Sequence, residues 1–334
     1  MVGRRIGAIA IAVALIAGAL LLRRAVLDDD ADASPAGTVA TTEPAAAAAE
    51  LVCITELAAA CDAARAEHPE LRVTVEDAGA TLDRLAALPD GEDAPLWLTI
   101  EPYPAMVDSL RSASDLDPLA AETQDVAATK LAVAAPNDGR ADALVTACAA
   151  TPLWRCIGDN AGNEWTDLGG EAAWGRVRPS LGVVDRQAVA LASLASAVAG
   201  YFGNADIRSS DWQNDPAFTP WMGRLAGAVG ESVLSGGTPL GTMAVRASAL
   251  DLAATTDAEV AALGGDQSVL YPEPSMWAEA VLAVPGGSGA PDDLTATLAS
   301  AATTAGWDAP GSAQQSLPNE STMLALRTLW QETV

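Results

Sequence analysis

Apolar and polar positions along the chain follow two rhythms. Glu50-Leu51-Val52-Cys53-Ile54 is a short extended apolar run, and the Ala-rich stretch Glu56 to Ala66 has a helical pattern. Leu71-Arg72-Val73-Thr74-Val75-Glu76 alternates and is β-branched, which predicts a strand. Thr81 to Leu88 predicts a short helix with Thr81 as its cap. Pro95 to Ile100 predicts a third strand, ended by Glu101-Pro102-Tyr103-Pro104. Strand–helix–strand–helix–strand in residues 50–100 predicts parallel pairing with helices on both faces. Ligands meet such sheets at the loops after the carboxyl ends of the strands. Here those loops begin at Thr55, Asp77 and Glu101.

The pattern continues with a strand at Lys130 to Ala135, a turn at Pro136-Asn137-Asp138-Gly139 and a helix at Ala141 to Ala149. Residues 160–175 carry turn signals and two tryptophans. A strong helix follows at Arg186 to Phe202, with Asp185 as candidate cap. Gly236-Gly237-Thr238-Pro239 breaks the chain before Gly241 to Val245, an apolar run that predicts a strand. Two further apolar runs, Ser268 to Pro272 and Glu279 to Val284, precede a final helix at Ser321 to Gln331.

The N-terminus is of a different kind. Residues 6–22 are all apolar or glycine, at the short end of what spans a bilayer. A cleavable signal peptide is the rival reading. The run is long for a signal, however, and Arg23-Arg24 stand where small residues would mark a cleavage site. Residues 1–27 therefore predict an uncleaved membrane anchor, a single transmembrane helix with the C-terminal part outside the cell. Residues 28–50 are acidic and rich in Ala, Thr and Pro, and predict a disordered tether.

Composition narrows the chemistry. Half of the residues are hydrophobic, enough for a real core, and the net charge of −26 repels nucleic acid. The single histidine, His68, lies in a polar stretch before Pro69 and reads as an exposed helix end. Triad hydrolases and zinc sites lack their usual side chains, so neither a catalytic nor a metal site is expected. Gly286-Gly287-Ser288-Gly289 lacks the lysine and helix of a phosphate loop. The expectation is a protein that is not an enzyme and needs no cofactor.

Four cysteines form two pairs eight residues apart, Cys53 with Cys61 and Cys148 with Cys156. An export context and an even count favour two local disulfides, provided the chain bends within each pair. Three pairings remain open, and four buried thiols are the alternative.

Three stretches carry a family resemblance: Thr129-Lys130-Leu131-Ala132-Val133-Ala134; Glu164-Trp165-Thr166-Asp167-Leu168 with Trp174-Gly175-Arg176-Val177; and Ser268 to Val284 with Tyr271-Pro272-Glu273-Pro274. In order and spacing the chain resembles type 2 periplasmic (extracellular) solute-binding proteins. More narrowly, it is similar to actinobacterial versions often fused to a von Willebrand A domain. The resemblance implies an α/β fold of two lobes joined by crossing hinge strands, with a small ligand held in the cleft between them. Lobe I would be 51–135 and 240–334, and lobe II 136–239.

On that template the ligand-binding candidates of the first lobe are Thr55 (beside Glu56), Thr81, Glu101 and Tyr103. Those of the second are Trp165, Asp185, Arg186 and Trp212. Thr81 is equally explained as a plain N-cap, and Arg186 as a solvated surface residue. Nine tryptophans against three tyrosines and two phenylalanines offer aromatic faces. Of these, Trp97, Trp277 and Trp330 read as core, whereas Trp165, Trp174, Trp212, Trp221 and Trp307 lie in turn-rich segments. The implied function is capture of a small solute at the cell surface, with a membrane permease or another envelope protein as partner. The alternative is a ligand-free interaction or sensory module with the same fold. A filled or alanine-lined cleft would favour the second, and polar groups converging from both lobes the first.

Overall fold

The computed structural model describes residues 49–234, 237–286 and 290–334. The expected anchor (1–27) and nearly all of the expected tether (28–50) lie outside the described residues. Among the described residues, no helix is long and apolar enough to cross a membrane.

The first sheet grows from the strand–helix alternation read above. Strand β1 (Glu50–Ile54) leads through a 3-10 turn (Thr55–Leu57) into α1 (Ala58–Glu67). Strand β2 (Arg72–Glu76) precedes α2 (Ala78–Ala86), and β3 (Leu96–Ile100) precedes α3 (Tyr103–Ala113). Strand β1 pairs in parallel with both β2 and β3, as expected.

The chain then leaves this sheet on β4 (Glu122–Pro136), a strand of 15 residues. Beyond it come α4 (Arg140–Ala147), α5 (Leu153–Asn160), the two-residue β5 (Pro179–Ser180) and α6 (Ala188–Phe202). Next are α7 (Ser209–Gln213), α8 (Phe218–Gly227), α9 (Pro239–Val245), β6 (Leu252–Thr256), α10 (Asp257–Leu263) and β7 (Gln267–Leu270). The chain returns on β8 (Trp277–Val284) and ends with α11 (Leu294–Thr304) and α12 (Glu320–Thr333).

Strand β4 belongs to two sheets. From Glu122 to Lys130 it pairs antiparallel with β8, which pairs with β3. From Leu131 to Pro136 it pairs with β6 on one edge and β7 on the other, and β5 pairs in parallel with β6. A single continuous strand thus crosses between two half-sheets, and residues 271–276 return. At the crossing, Lys130 Nζ lies 4.2 Å from the Tyr271 ring centroid. The Tyr271 hydroxyl donates to Asp257 at 2.8 Å, and burial, helped by that bond, pushes its pKa up to about 12.

Several expectations are corrected. Gly241 to Val245 is the helix α9, not a strand. Thr238 caps it, accepting from the Gly241 amide at 3.1 Å, and Pro239 occupies the first turn. The strand that does pair with β4, at 252–256, is Leu-Ala-Ala-Thr-Thr, with little β signature of its own. Strand pairing places 252–256 and 267–270 beside β4 in the second sheet. Helix α2 starts at Ala78 with Asp77 as its N-cap residue, so Thr81 lies inside the helix and is not its cap. The cap position of α6 is Gln187, two residues beyond Asp185. His68 is buried at 6% exposure, because it ends α1 against the first core and lies near Glu70 and Asp293.

Both cysteine pairs are bonded locally, Cys53 to Cys61 and Cys148 to Cys156, with Cα atoms 6.5 and 5.7 Å apart. In each case a break in the helix closes the distance that a continuous helix would hold at about 12 Å. The 3-10 turn does this for the first pair and Pro152, at the start of α5, for the second.

Candidate ligand-binding cavity

A cavity of about 310 Å³ lies where the two half-sheets meet. The β1–α1 turn supplies Thr55, Glu56, Ala58 and Ala59, and the end of α11 supplies Ala305 and Trp307. From the second sheet come Leu181 after β5, Gln187, Val189 and Ala190 at the start of α6, Thr238 and Pro239 at α9, and Ala254, Thr256, Ala258, Glu259 and Ala262 around β6 and α10. These are the carboxyl-end loops of β1, β5 and β6, as the sheet topology requires. A wider groove of about 730 Å³ runs between α1 and α11, but the first half alone lines it.

The cavity is built by local rules. Thr256 caps α10, its hydroxyl accepting from the Glu259 amide at 3.1 Å. That Thr-x-x-Glu spacing is a helix-start signature and was legible in the sequence. It places the Glu259 carboxylate in the wall, where it accepts from the Thr238 hydroxyl and, at 2.7 Å, from the Thr255 hydroxyl. Gln187 braces the opposite wall by accepting from Val183 N at 3.0 Å and donating to the Gly237 carbonyl at 3.3 Å. Gly182, with φ +103°, lets Gln187 approach, since a Cβ there would stand 2.8 Å from its Oε1.

Glu56 crosses the cavity. Its Oε1 accepts from the Val189 amide in the first turn of α6 at 3.1 Å, and its Oε2 accepts from Thr55 at 3.0 Å. A carboxylate from the first half thus occupies the positive end of a helix of the second. Burial nevertheless raises the Glu56 pKa above the ordinary value, outweighing the amides of Val189 and Ala188 that lower it. Burial also raises Glu259, against the two threonine hydroxyls. The lining holds no Lys, Arg or His among the described residues.

Of the residues expected to bind ligand, Thr55 lines this cavity. Asp185 and Arg186 lie at a contact between the two halves, against Asp77 and Gly79 at the start of the helix that holds Thr81. Arg186 reaches Asp77 with its Nε at 2.7 Å, and its carbonyl accepts from the Gly79 amide at 3.0 Å. Asp185 accepts from Gln331 of α12 at 3.0 Å. Thr81 is fully buried and donates to Glu76, the last residue of β2, at 2.9 Å. The other four do not line the cavity. Glu101 sits with Asp125 and Glu279, and burial first, then these two acids, raises its pKa despite the Thr123 bond. Tyr103 is buried edge-on to Trp97. Trp165 is fully buried and donates to Asp251, which also pairs with Arg178. Trp212 packs on Phe218 in an aromatic cluster. Among the tryptophans of turn-rich segments, Trp307 lines the cavity.

Glu259, Gln187 and Thr238 were missed because sequence neighbours do not reveal which loops meet across a sheet. Among the described residues, no group of three or more His, Cys, Asp or Glu is arranged to hold a metal ion.

No protein-family model and no curated protein matches this sequence. Among solved structures, the chain is similar to the periplasmic binding protein AfuA from Actinobacillus pleuropneumoniae, determined with exogenous fructose-6-phosphate bound. That match has a TM-score of 0.54 at 10% identity and covers 87% of this chain and 99% of that one. A periplasmic thiamin binding protein matches at TM-score 0.48 and 11% identity, over 91% of this chain and 99% of that one. The sulfate-binding protein SubI from Mycobacterium tuberculosis H37Rv matches at 0.46 and 11%, over 82% and 95%. The similarity to AfuA shows that the chain has the mixed α/β fold of periplasmic binding proteins.

Proposed function

We propose that this protein is a solute-binding protein of the cell surface that takes a small molecule into the cavity between its two half-sheets. The observation that carries the reading is that the cavity wall comes from both halves, so an occupant touches both at once. A ligand bound there favours the arrangement in which the halves meet, and binding and closure reinforce each other. Its volume falls at the lower end of small-molecule sites. The protein carries out no covalent chemistry and uses no cofactor in this reading.

Residues 1–27 hold the protein in the membrane and 28–50 tether it, with the folded part outside the cell. A membrane permease receives the solute. Kinship with the actinobacterial domains often fused to von Willebrand A domains rests on the three stretches quoted above. One observation favours the second reading, an interaction or sensory module: alanines form much of the cavity wall, and Glu56 already holds the start of α6.

The test is a thermal-melting panel on the full chain in mild detergent, covering sugars, amino acids, peptides, oxyanions, organic cations and metal ions. A ligand at 100 times its dissociation constant stabilises by about 2.7 kcal/mol and raises the melting temperature by several degrees. A flat panel on folded protein would replace the solute-binding reading with the interaction module.

A further inference from the structure

We infer that the cavity takes a compact protonated amine, with its ammonium on Glu259 and its apolar body against Trp307 and the alanine wall. The inference rests on the solute-binding reading and names the ligand class of the same site.

The first ground is charge. The titratable side chains of the lining are two carboxylates, Glu56 from one half and Glu259 from the other, with no basic residue among the described lining residues. An anion would meet both carboxylates without a counter-charge, in surroundings where such repulsion is strong. A cation meets the reverse.

The second ground is hydrogen-bond capacity. Donors of the lining are already turned onto the acids: the Thr55 hydroxyl and Val189 amide to Glu56, and the Thr238 hydroxyl to Glu259. The Gln187 amide donates to the Gly237 carbonyl. A carboxylate has about four acceptor sites, and Glu259 uses two, on Thr238 and Thr255. Glu259 keeps acceptor capacity, and an ammonium brings donors with positive charge. The third ground is the rest of the wall: methyl groups and one indole, which suit a short hydrocarbon body and the face of a cation. Burial raises both acids despite the hydrogen bonds that reach them.

The experiment is calorimetric titration of the full chain in mild detergent with matched probes. Butane-1,4-diamine and cyclohexylamine are the amines. Butane-1,4-diol and cyclohexanol are the neutral controls, and butanedioate and cyclohexanecarboxylate the anionic ones. Glucose, glycine and sulfate complete the set. At least one amine is expected to bind tenfold or more tightly than its neutral and anionic counterparts. Glu259→Gln should weaken that binding about tenfold or more, as loss of a charged hydrogen bond does. Glu56→Gln provides a second variant, with circular dichroism and melting confirming that each is folded. If a diol, a carboxylate or one of the three other solutes binds and the amines do not, the ligand class is overturned and solute binding stands. If no probe binds to folded protein, both readings fall. If amine binding survives both variants undiminished, the assignment to this cavity is wrong.

Discussion

Glu56 and Glu259 are buried carboxyl groups whose pKa values lie above the ordinary 4.5. The groups facing Glu259 in hydrogen bonds, Thr238 and Thr255, are uncharged, whereas Tyr103 lies near Glu56, with Arg327 and Asp185 next to that tyrosine. Between the unfolded and folded pKa, the folded protein binds more protons than the unfolded chain. Their contribution to stability therefore falls as pH rises through that window. Without ligand, Glu259→Gln should melt above wild type at pH 8, and the gap should close towards pH 4. A wild type more stable than Glu259→Gln at pH 8 would reject the assignment. Glu76 works in the opposite sense: despite burial, Arg84 and Thr81 lower its pKa, so its contribution is lost only as pH falls below 4.5. The different windows let the two effects be separated in one pH series.

At the scale of elements, two short devices hold the cavity wall. The Cys53–Cys61 bridge closes the turn that carries Thr55, Glu56, Ala58 and Ala59. By loop-closure entropy for eight residues, replacing both cysteines with alanine should cost about 2–3 kcal/mol, measured by chemical denaturation. The cavity should also loosen, so that amine affinity falls together with stability. Unchanged affinity in the folded double variant would show that the α1 side of the wall is held by packing alone. Thr238 serves both the start of α9 and the Glu259 carboxylate. Thr238→Ala should cost about 1 kcal/mol, the usual value of an N-cap, with a further loss of ligand affinity that a cap alone does not explain.

For the whole molecule, the decisive contact is between α2 and the loop before α6. A Cβ on Gly79 would stand 1.8 Å from the Asp185 carbonyl oxygen, and that atom is backbone and cannot swing aside. Gly79→Ala should therefore push the two halves apart or strain them by about 1–3 kcal/mol. Small-angle scattering and melting would read this as a larger radius of gyration or a lower melting temperature, with weaker binding in either case. Arg186→Ala breaks the half-exposed pair with Asp77 at the same contact and should cost no more than about 1 kcal/mol. Equal behaviour of Gly79→Ala and wild type in both measurements would contradict the close approach.

Much of this was legible along the chain. The parallel β1–β2–β3 unit, a strand at Lys130 to Ala135 and the final helix follow from periodicities of two and 3.6, whereas the crossing of that strand between halves was implied only by the resemblance. Two local disulfides were favoured with other pairings open, the structure bonds each pair locally, and the resemblance to solute-binding proteins agrees with the fold. Thr55 was singled out as the start of a loop at a strand's carboxyl end, and it lines the cavity. Leu252–Thr256 was not, because its small residues become a strand only through the edge that β4 offers. Gly241 to Val245 was misread because an apolar run of five carries no period of its own, although Thr238-Pro239 signals a helix start. Local pattern, and hence sequence alone, determined the alternating elements, the bends and the excess of acid. Which acids face an enclosed space was decided by tertiary structure alone. Thr55, Glu56, Leu181, Gln187, Thr238, Glu259 and Trp307 meet only because one strand pairs with β8 over its first half and with β6 and β7 over its second. That register depends on the whole sheet and leaves no trace in any single window of sequence.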